Sequence, residues 1–227
     1  MRSPSTLPAQ TALVTGATRG IGLALVQALA ARGDAAHGTC RTAPGPGPAT
    51  WHRADVTDSA ALQNLGQAWT SPLDLLVCNA GIYPGRGGTP DRGFPAEDWA
   101  AAFAVNVTGV FLTVQALLPA LARAERPHIA IIASAMGSDA RAPGGSYIYR
   151  ASRAAALNLG RNLAADLAPH GIAVGILSPR LGPHRHGRRG RRARRGHFDP
   201  EPAGALRRAR PCRYGLLRNH DGRPIPF

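Results

Sequence analysis

A tyrosine and an arginine one helical turn apart form the residue pair in this sequence that is best suited to proton transfer. Tyr149 and Arg153 are four positions apart, so a helix would place them on one face. A cation at that spacing favours the phenolate form of a tyrosine and prepares it to exchange a proton. A guanidinium keeps its charge, but it is planar and does not deprotonate, so it cannot relay protons as an ammonium does. The pair predicts acid–base chemistry at Tyr149 with an impaired partner; Tyr147, whose neighbour four residues on is Ala151, is the weaker alternative.

The second motif with a chemical consequence is a glycine-rich turn, which reads Thr15-Gly16-Ala17-Thr18-Arg19-Gly20-Ile21-Gly22. Its glycines allow the backbone to turn tightly and to approach a pyrophosphate closely. The helix that follows would offer free N–H groups and the positive end of its dipole to that anion. An ordinary turn between a strand and a helix is the alternative, but the position of the motif favours a dinucleotide site.

The elements that must position these residues alternate along the first 179 residues. Apolar runs predict strands at residues 11–15, 35–40, 73–78, 129–133 and 172–177. Helical patterns lie at residues 21–32, 96–121 and 149–167, and segments 43–48 and 81–95 have the glycine and proline content of loops. Strands that alternate with helices predict an α/β fold, in which helices cover both faces of a parallel sheet.

The formal net charge of +14 comes mostly from the C-terminal segment. Residues 1–179 contain 13 Arg against 10 Asp and Glu, whereas residues 180–227 contain 14 Arg against 3. Residues 183–198 have almost no large apolar side chain, which predicts a disordered segment. A nucleic-acid-binding arm is one interpretation, but the tract lacks interleaved aromatic residues and helical spacing. We favour translation of a G+C-rich alternative frame, with only non-specific, salt-dependent binding of nucleic acid.

The composition also excludes several classes of protein. Three scattered cysteines, Cys40, Cys78 and Cys212, lack metal-ligand spacing and fit a reduced protein better than a disulfide framework. The first ten residues lack the apolar segment of a signal peptide, and no apolar run is expected to be long enough to cross a bilayer. These features predict a cytoplasmic protein without a membrane partner.

Taken in order from residue 11 to residue 179, the motifs resemble those of the short-chain dehydrogenase/reductase family. The glycine turn has the family's Gly-x3-Gly-x-Gly spacing. The other motifs are Asp55-Val56, Asn79-Ala80-Gly81 after the strand predicted at 73–78, Asn106 in the long helix, Ser134 at the end of the strand predicted at 129–133, and Tyr149 with Arg153, which stands where the family has lysine. In the family these two strands are the fourth and the fifth, and the position of Asp55-Val56 follows the third. The loop between Ser134 and Tyr149 is similar to that of the C-factor-like and sniffer-like carbonyl reductase branch. The resemblance implies a single-domain, Rossmann-type, doubly wound parallel sheet over residues 1–179.

The resemblance also implies roles for individual residues. Tyr149 would exchange a proton with the substrate oxygen, Ser134 would hydrogen-bond that oxygen, and Asn106 would hold a water that connects the site with solvent. Arg19 and Arg41 would bracket a 2′-phosphate, since no acidic residue follows the second strand, which favours NADP(H) over NAD(H); two solvated surface arginines are the alternative. The implied catalytic set is Asn106, Ser134, Tyr149 and Arg153, and the implied cofactor-binding set is Gly16, Thr18, Arg19, Gly20, Ile21, Gly22, Arg41, Asp55, Val56, Asn79, Ala80, Gly81, Tyr149, Arg153 and Pro179.

The sequence departs from the family after Pro179. The carbonyl reductase branch has a segment resembling Pro-Gly-Trp-Val-x-Thr-Asp-Met-Gly-Gly there, which begins the substrate lid. One set of codons for residues 181–188 encodes Trp-Val-Arg-Thr-Asp-Met-Gly when it is read one base later. We therefore hypothesise two compensating frameshifts around an aberrant Arg-rich segment at 180–215, followed by a remnant of the family C-terminus at 216–227.

By descent, the chain is expected to be an NADP(H)-dependent oxidoreductase that interconverts a carbonyl and an alcohol on a small substrate. The arginine at position 153 and the missing lid predict impaired turnover. The alternatives are a catalytically weak, nucleotide-binding pseudoenzyme or C-factor-like signalling protein, and, from the charge alone, a basic nucleic-acid binder. The resemblance further implies a homo-oligomer formed through the helices predicted at 96–121 and 149–167.

Overall fold

The computed structural model describes residues 8–179 and 217–219. Over these residues the chain forms seven strands, which are β1 (Thr11–Val14), β2 (Ala35–Cys40), β3 (Thr50–Arg53), β4 (Leu75–Cys78), β5 (His128–Ile132), β6 (Ala173–Ser178) and β7 (Leu217–Asn219). They lie in the order β3-β2-β1-β4-β5-β6-β7, and every neighbouring pair is parallel. The chain runs outward from β1 to one edge and then from β4 to the other, so the predicted doubly wound parallel sheet is confirmed.

Five α-helices accompany the sheet in the same part of the chain, and they are α1 (Gly20–Ala31), α2 (Ser59–Ala68), α3 (Ala96–Phe103), α4 (Gly109–Leu121) and α5 (Tyr147–Leu167). The sequence patterns above include α1 and α5 but not α2. Its signal is Asp58, whose carboxylate accepts a hydrogen bond from the backbone nitrogen of Ala61 at 3.0 Å and so caps the helix. Leu62 and Leu65 then bury its apolar side.

The predicted helix at 96–121 is present as one continuous helix with an irregular centre. A π-helical turn at Ala104–Thr108 joins α3 to α4. By length and composition this helix could cross a membrane, so the expectation that no apolar run has that length is wrong. Val110, Val114 and Leu117 nevertheless pack into the main hydrophobic cluster, as a helix that covers a sheet does in an α/β fold.

Each face of the sheet has its own apolar core, because alternate strand residues point to opposite faces. On one face the strand side chains pack against α2, α4 and α5, and they include Leu13, Leu76, Ile129 and Ile131. On the other face they pack against α1, and they include Ala12, Val14, Leu75 and Val77. Burial of one such large side chain stabilises the fold by about 1.5–3 kcal/mol, and the two cores together hold the carboxyl ends of the strands in register.

The C-terminal predictions lie largely outside the described residues. The segment at 180–215 and the remnant at 216–227 fall there, with the exception of β7. That strand pairs with β6 and places Leu217 opposite Ile176. The proposed frameshifts, the disordered tract and the domain limits stay predictions.

Two histidines join the outer strands β2 and β3 on the side covered by α2. His37 Nδ1 and His52 Nε2 are 2.9 Å apart, and the ring of Trp69 lies 4.7 Å and 5.3 Å from the two imidazoles, measured between ring centroids. One nitrogen must donate and the other accept, so two protonated rings cannot form this bond. Burial lowers the pKa of both histidines below the usual 6.5, and the neighbouring His52 lowers the pKa of His37 further.

The free energy of unfolding should therefore fall as the pH drops from 6.5 through the lowered pKa values. In that range the unfolded chain binds more protons than the folded chain, so acid favours unfolding, whereas above 6.5 the contribution of the neutral pair is complete. Urea denaturation between about pH 7.5 and about pH 5 should show a smaller fall in His37→Gln than in the wild type. His128→Gln is the matched control, and equal slopes in all three proteins would contradict the prediction.

Candidate active site

The loops that follow β1 to β6 surround a cavity of about 420 Å³ at the carboxyl edge of the sheet. This edge includes the point between β1 and β4 where the strand order reverses, which is where open α/β sheets bind their ligands. The cavity is lined by Ser134 and by all fifteen residues of the implied cofactor-binding set, Tyr149 and Arg153 among them. Sixteen residues predicted from sequence motifs thus meet at one place.

The glycine turn has the geometry that a close approach of the backbone requires. Gly16 and Gly20 adopt φ angles of 61° and 58°, which favour glycine. A Cβ atom on Gly22 would lie 2.5 Å from Asn79 Nδ2 and 2.6 Å from the carbonyl oxygen of Gly16. Helix α1 has neither a side-chain cap nor an acidic residue in its first turn, so no side chain of its own first turn offsets its positive end, which faces the cavity. These donors fit the pyrophosphate of a dinucleotide.

Thr15 ties the glycine turn to the loop after β4. Its Oγ1 accepts hydrogen bonds from the backbone nitrogens of Asn79 at 3.0 Å and Ala80 at 3.1 Å. In return, Asn79 Nδ2 donates to the carbonyl oxygens of Thr15 at 3.0 Å and Gly16 at 3.2 Å. The sequence motif includes Thr15 but gives it no role. Its signal is a hydroxyl at the buried end of an apolar strand, where a polar atom must find partners.

The end of the cavity beside β2 carries positive charge. Arg19 and Arg41 are both exposed and line the cavity. Asp55 also lines it, but its carboxylate accepts hydrogen bonds from the backbone nitrogen and the hydroxyl of Thr57, at 2.9 Å and 2.8 Å. Thr39 Oγ1 accepts from the backbone nitrogen of Gly16 at 3.0 Å, which fixes the glycine turn against β2.

Asn106 does not line the cavity but lies fully buried behind it, within the π-helical turn. Its Oδ1 accepts from the backbone nitrogen of Ile82 at 2.9 Å, and its Nδ2 donates to the carbonyl oxygen of Ile82 at 3.0 Å and to Ser152 Oγ at 3.0 Å. Ser152 Oγ donates to the carbonyl oxygen of Tyr149 at 3.0 Å. Asn106 therefore connects the loop after β4 to the helix that carries the tyrosine, and its role in holding a water stays a prediction.

Ser134 and Tyr149 face the cavity from two different elements. Ser134 follows β5, and its Oγ accepts from the backbone nitrogen of Met136 at 3.2 Å. Tyr149 is half-buried in the first turn of α5. Arg150 holds the intervening loop against this helix, because its Nη1 donates to the carbonyl oxygens of Met136 at 3.2 Å and Arg141 at 2.9 Å. The catalytic motif alone assigns no role to Arg150.

Arg153 is a buried cation, with 6% of its surface exposed. Its Nη1 donates to the carbonyl oxygen of Ile132 at 3.0 Å, its Cζ lies 5.0 Å from the centroid of the Tyr149 ring, and its Nε has no hydrogen-bond partner. Within the described ranges no carboxylate comes within ion-pair distance of it. A Cβ atom on Gly81 would collide with its Nη2. The guanidinium thus contacts the face of the phenol ring and a strand carbonyl.

Removal of the Thr15 hydroxyl should destabilise the protein and disturb the site. In Thr15→Val the backbone nitrogens of Asn79 and Ala80 lose their acceptor, so we expect the free energy of unfolding to fall by about 2 kcal/mol. Urea denaturation measures this change. Thr113→Val is the control, because Thr113 is as deeply buried but its hydroxyl only donates to the carbonyl oxygen of Gly109 within α4. Its loss should stay below about 1 kcal/mol, and equal losses would contradict the role of Thr15.

Comparison with known proteins identifies the family to which this chain belongs. The family model for short chain dehydrogenase matches residues 10–182. The rhamnolipids biosynthesis 3-oxoacyl-[acyl-carrier-protein] reductase of Pseudomonas aeruginosa is 34% identical over 210 residues, which cover 79% of this chain and 75% of that protein. The NADPH-bound carbonyl reductase from chicken fatty liver has a TM-score of 0.81 at 26% identity, over 97% of this chain and 100% of that one. Sniffer of Caenorhabditis elegans has the same TM-score at 24% identity, with the same coverage, and shares the fold.

Proposed function

Since the chain belongs to the short-chain dehydrogenase family, we propose that it is an NADP(H)-dependent oxidoreductase that interconverts a carbonyl and an alcohol on a small molecule. One observation carries the proposal: the glycine turn, Ser134 and Tyr149 line a single cavity at the point where the strand order reverses. A protein that only bound nucleic acid would not need a phenol and a hydroxyl at this position. The structural likeness to an NADPH-bound carbonyl reductase supports the same reaction class.

The residues present fit a nicotinamide dinucleotide. The uncapped N-terminus of α1 offers donors for the pyrophosphate, and Arg19 and Arg41, which line the cavity, would bind a 2′-phosphate. Asp55-Val56 and the turn at 79–81 line the rest of the dinucleotide cavity. When bound, the cofactor supplies or accepts the hydride.

The chain's own residues would then handle the proton. Tyr149 donates it to the substrate oxygen during reduction and removes it during oxidation. Ser134 donates a hydrogen bond to the same oxygen and fixes its position. Asn106, acting through Ser152, holds the backbone of Tyr149 in place.

Arg153 supports a second candidate, a nucleotide-binding protein of low turnover or a C-factor-like signalling protein. Its Nη1 is engaged by Ile132 and its charge lies over the phenol ring. A guanidinium does not exchange protons near neutral pH, so it cannot pass them to the tyrosine. The glycine turn and the hydrogen bonds that tie it to Asn79 involve other residues.

We also infer a homo-oligomer in the cytoplasm. Phe111 on α4 is 44% exposed, and a second copy packed on the long helices would cover such apolar surface. Cys40 and Cys78 are buried and unbonded, which fits a reducing compartment.

Arg153→Lys should raise kcat for NADPH-dependent reduction of a small carbonyl by about tenfold or more, because an ammonium can donate, rotate and exchange protons. The dissociation constant of NADPH, from fluorescence titration, should change by less than about threefold. Arg161→Lys, an exposed substitution two turns further along α5, is the control. Equal, robust turnover in the wild type and Arg153→Lys would contradict the impairment. NADPH binding without turnover in both would favour the second candidate.

Arg41→Asp should reverse the cofactor preference, because a carboxylate repels a 2′-phosphate and can bond a 2′-hydroxyl. We expect the NADPH dissociation constant to rise about tenfold or more, a change of about 1.4 kcal/mol, while that of NADH stays the same or falls. Arg126→Asp is the matched charge reversal, with a side chain 84% exposed just before β5, at the opposite edge of the sheet. An unchanged ratio of the two constants in Arg41→Asp would rule out a 2′-phosphate site there.

A further inference from the structure

The phenol ring of Tyr149 lies between an aromatic ring and a cation. The ring of Tyr83 stacks on it, with centroids 4.1 Å apart and planes 13° from parallel. The Cζ of Arg153 is 5.0 Å from the centroid of the same phenol. A ring stacked at 4.1 Å fills one face, so the guanidinium lies over the other. The cation attracts the ring through that face, and the stack on the opposite side limits how far the ring can tilt.

The hydroxyl of Tyr83 makes a second contact, at the start of α5. Its oxygen lies 2.5 Å from Ser146 Oγ. Ser146 occupies the N-cap position, where a serine hydroxyl usually accepts from the first turn, yet it makes no such bond. It also has a φ of 52°, and no other non-glycine residue in the described part of the chain has a positive φ. A backbone strained in this way persists where its surroundings hold it, and the bond to Tyr83 is one such restraint.

The backbone next to Tyr83 is fixed as well. Both backbone polar groups of Ile82 bond to the side chain of Asn106. The same amide reaches the carbonyl oxygen of Tyr149 through Ser152. The Asn106 side chain therefore holds the backbone beside both stacked tyrosines and so fixes their relative position.

From these contacts we propose that Tyr83 is a positioning residue for the acid–base tyrosine. Its ring holds the Tyr149 phenol against the pull of Arg153, and its hydroxyl holds the first residues of α5 through Ser146. Tyr83 is not among the residues that line the dinucleotide cavity, so its role concerns proton transfer rather than cofactor binding. The kinetic consequence rests on the proposed function, whereas the orientation of the ring does not.

Steady-state kinetics distinguish a residue that positions Tyr149 from one that binds the substrate. In the wild type, or in Arg153→Lys if that variant turns over faster, Tyr83→Leu should lower kcat about tenfold and leave the KM for the carbonyl within about threefold. Tyr83→Phe keeps the ring and should recover most of the loss. A raised KM with unchanged kcat in Tyr83→Leu would overturn the proposal, because it would indicate a substrate-binding wall.

Three further variants test the contact between the two hydroxyls and supply a control. Tyr83→Phe and Ser146→Ala should each lower kcat about twofold to threefold, and the double variant should be no slower than either, because both remove one bond. Additive losses would overturn this part of the proposal. Tyr147→Leu removes an exposed tyrosine that meets Phe94 edge to face and should keep the wild-type kcat.

A spectroscopic readout needs neither cofactor nor turnover. The chain has 4 tyrosines, so 3-fluorotyrosine labelling gives a fluorine spectrum in which Tyr149→Phe identifies the line of Tyr149. A stacked ring shifts that line, so Tyr83→Leu should move it and Tyr83→Phe should leave it near the wild-type position. An unmoved line in Tyr83→Leu would overturn the proposal whatever the activity. A displaced line together with no turnover in any variant would instead reject the proposed function alone.

Discussion

The geometry of the site depends on one buried amide. The Asn106 side chain has no exposed surface and makes three hydrogen bonds, two to Ile82 and one to Ser152. A buried polar group left without a partner costs about 1–3 kcal/mol, so the loop after β4 and the helix α5 must both take positions that satisfy it. The π-helical turn at Ala104–Thr108 is the local departure from α-helix that surrounds this residue, and π-turns of this kind are frequent at functional sites.

The features that could be predicted from the sequence are those that follow from backbone geometry and from the periodicity of helices and strands. Gly16 and Gly20 are predictable because a tight turn with positive φ favours glycine, and Tyr149 and Arg153 share a helix face by spacing alone. The contact of Tyr83 with Ser146 joins residues 63 positions apart. No pattern in a single sequence indicates such a pair, because the fold creates it. The apolar length of 96–121 is likewise ambiguous until packing shows its buried side.

Arginine at position 153 keeps the charge that a lysine would have there but distributes it differently in space. An ammonium presents its charge at a point, whereas the guanidinium spreads it over a plane, and here that plane contacts the Tyr149 ring and the Ile132 carbonyl. Burial of a charge without an anion costs several kcal/mol, and the contact with the ring offsets only part of it. The sheet, the glycine turn and the Asn106 bonds involve other residues, so these parts of the fold do not require a lysine at position 153.

The cavity therefore has two parts, which are held in place by different kinds of interaction. The nucleotide half consists of backbone donors, glycines and the Thr15 and Asn79 bonds, which respond little to side-chain exchange elsewhere. The chemical half depends on the orientation of Tyr149, which Asn106 sets from behind through Ser152 and the flanking ring and guanidinium set from its two faces. A misplacement of about 1 Å can slow a reaction of positioned groups about 100-fold. Under the proposed function, the enzyme and the nucleotide-binding protein would therefore differ only in that second half.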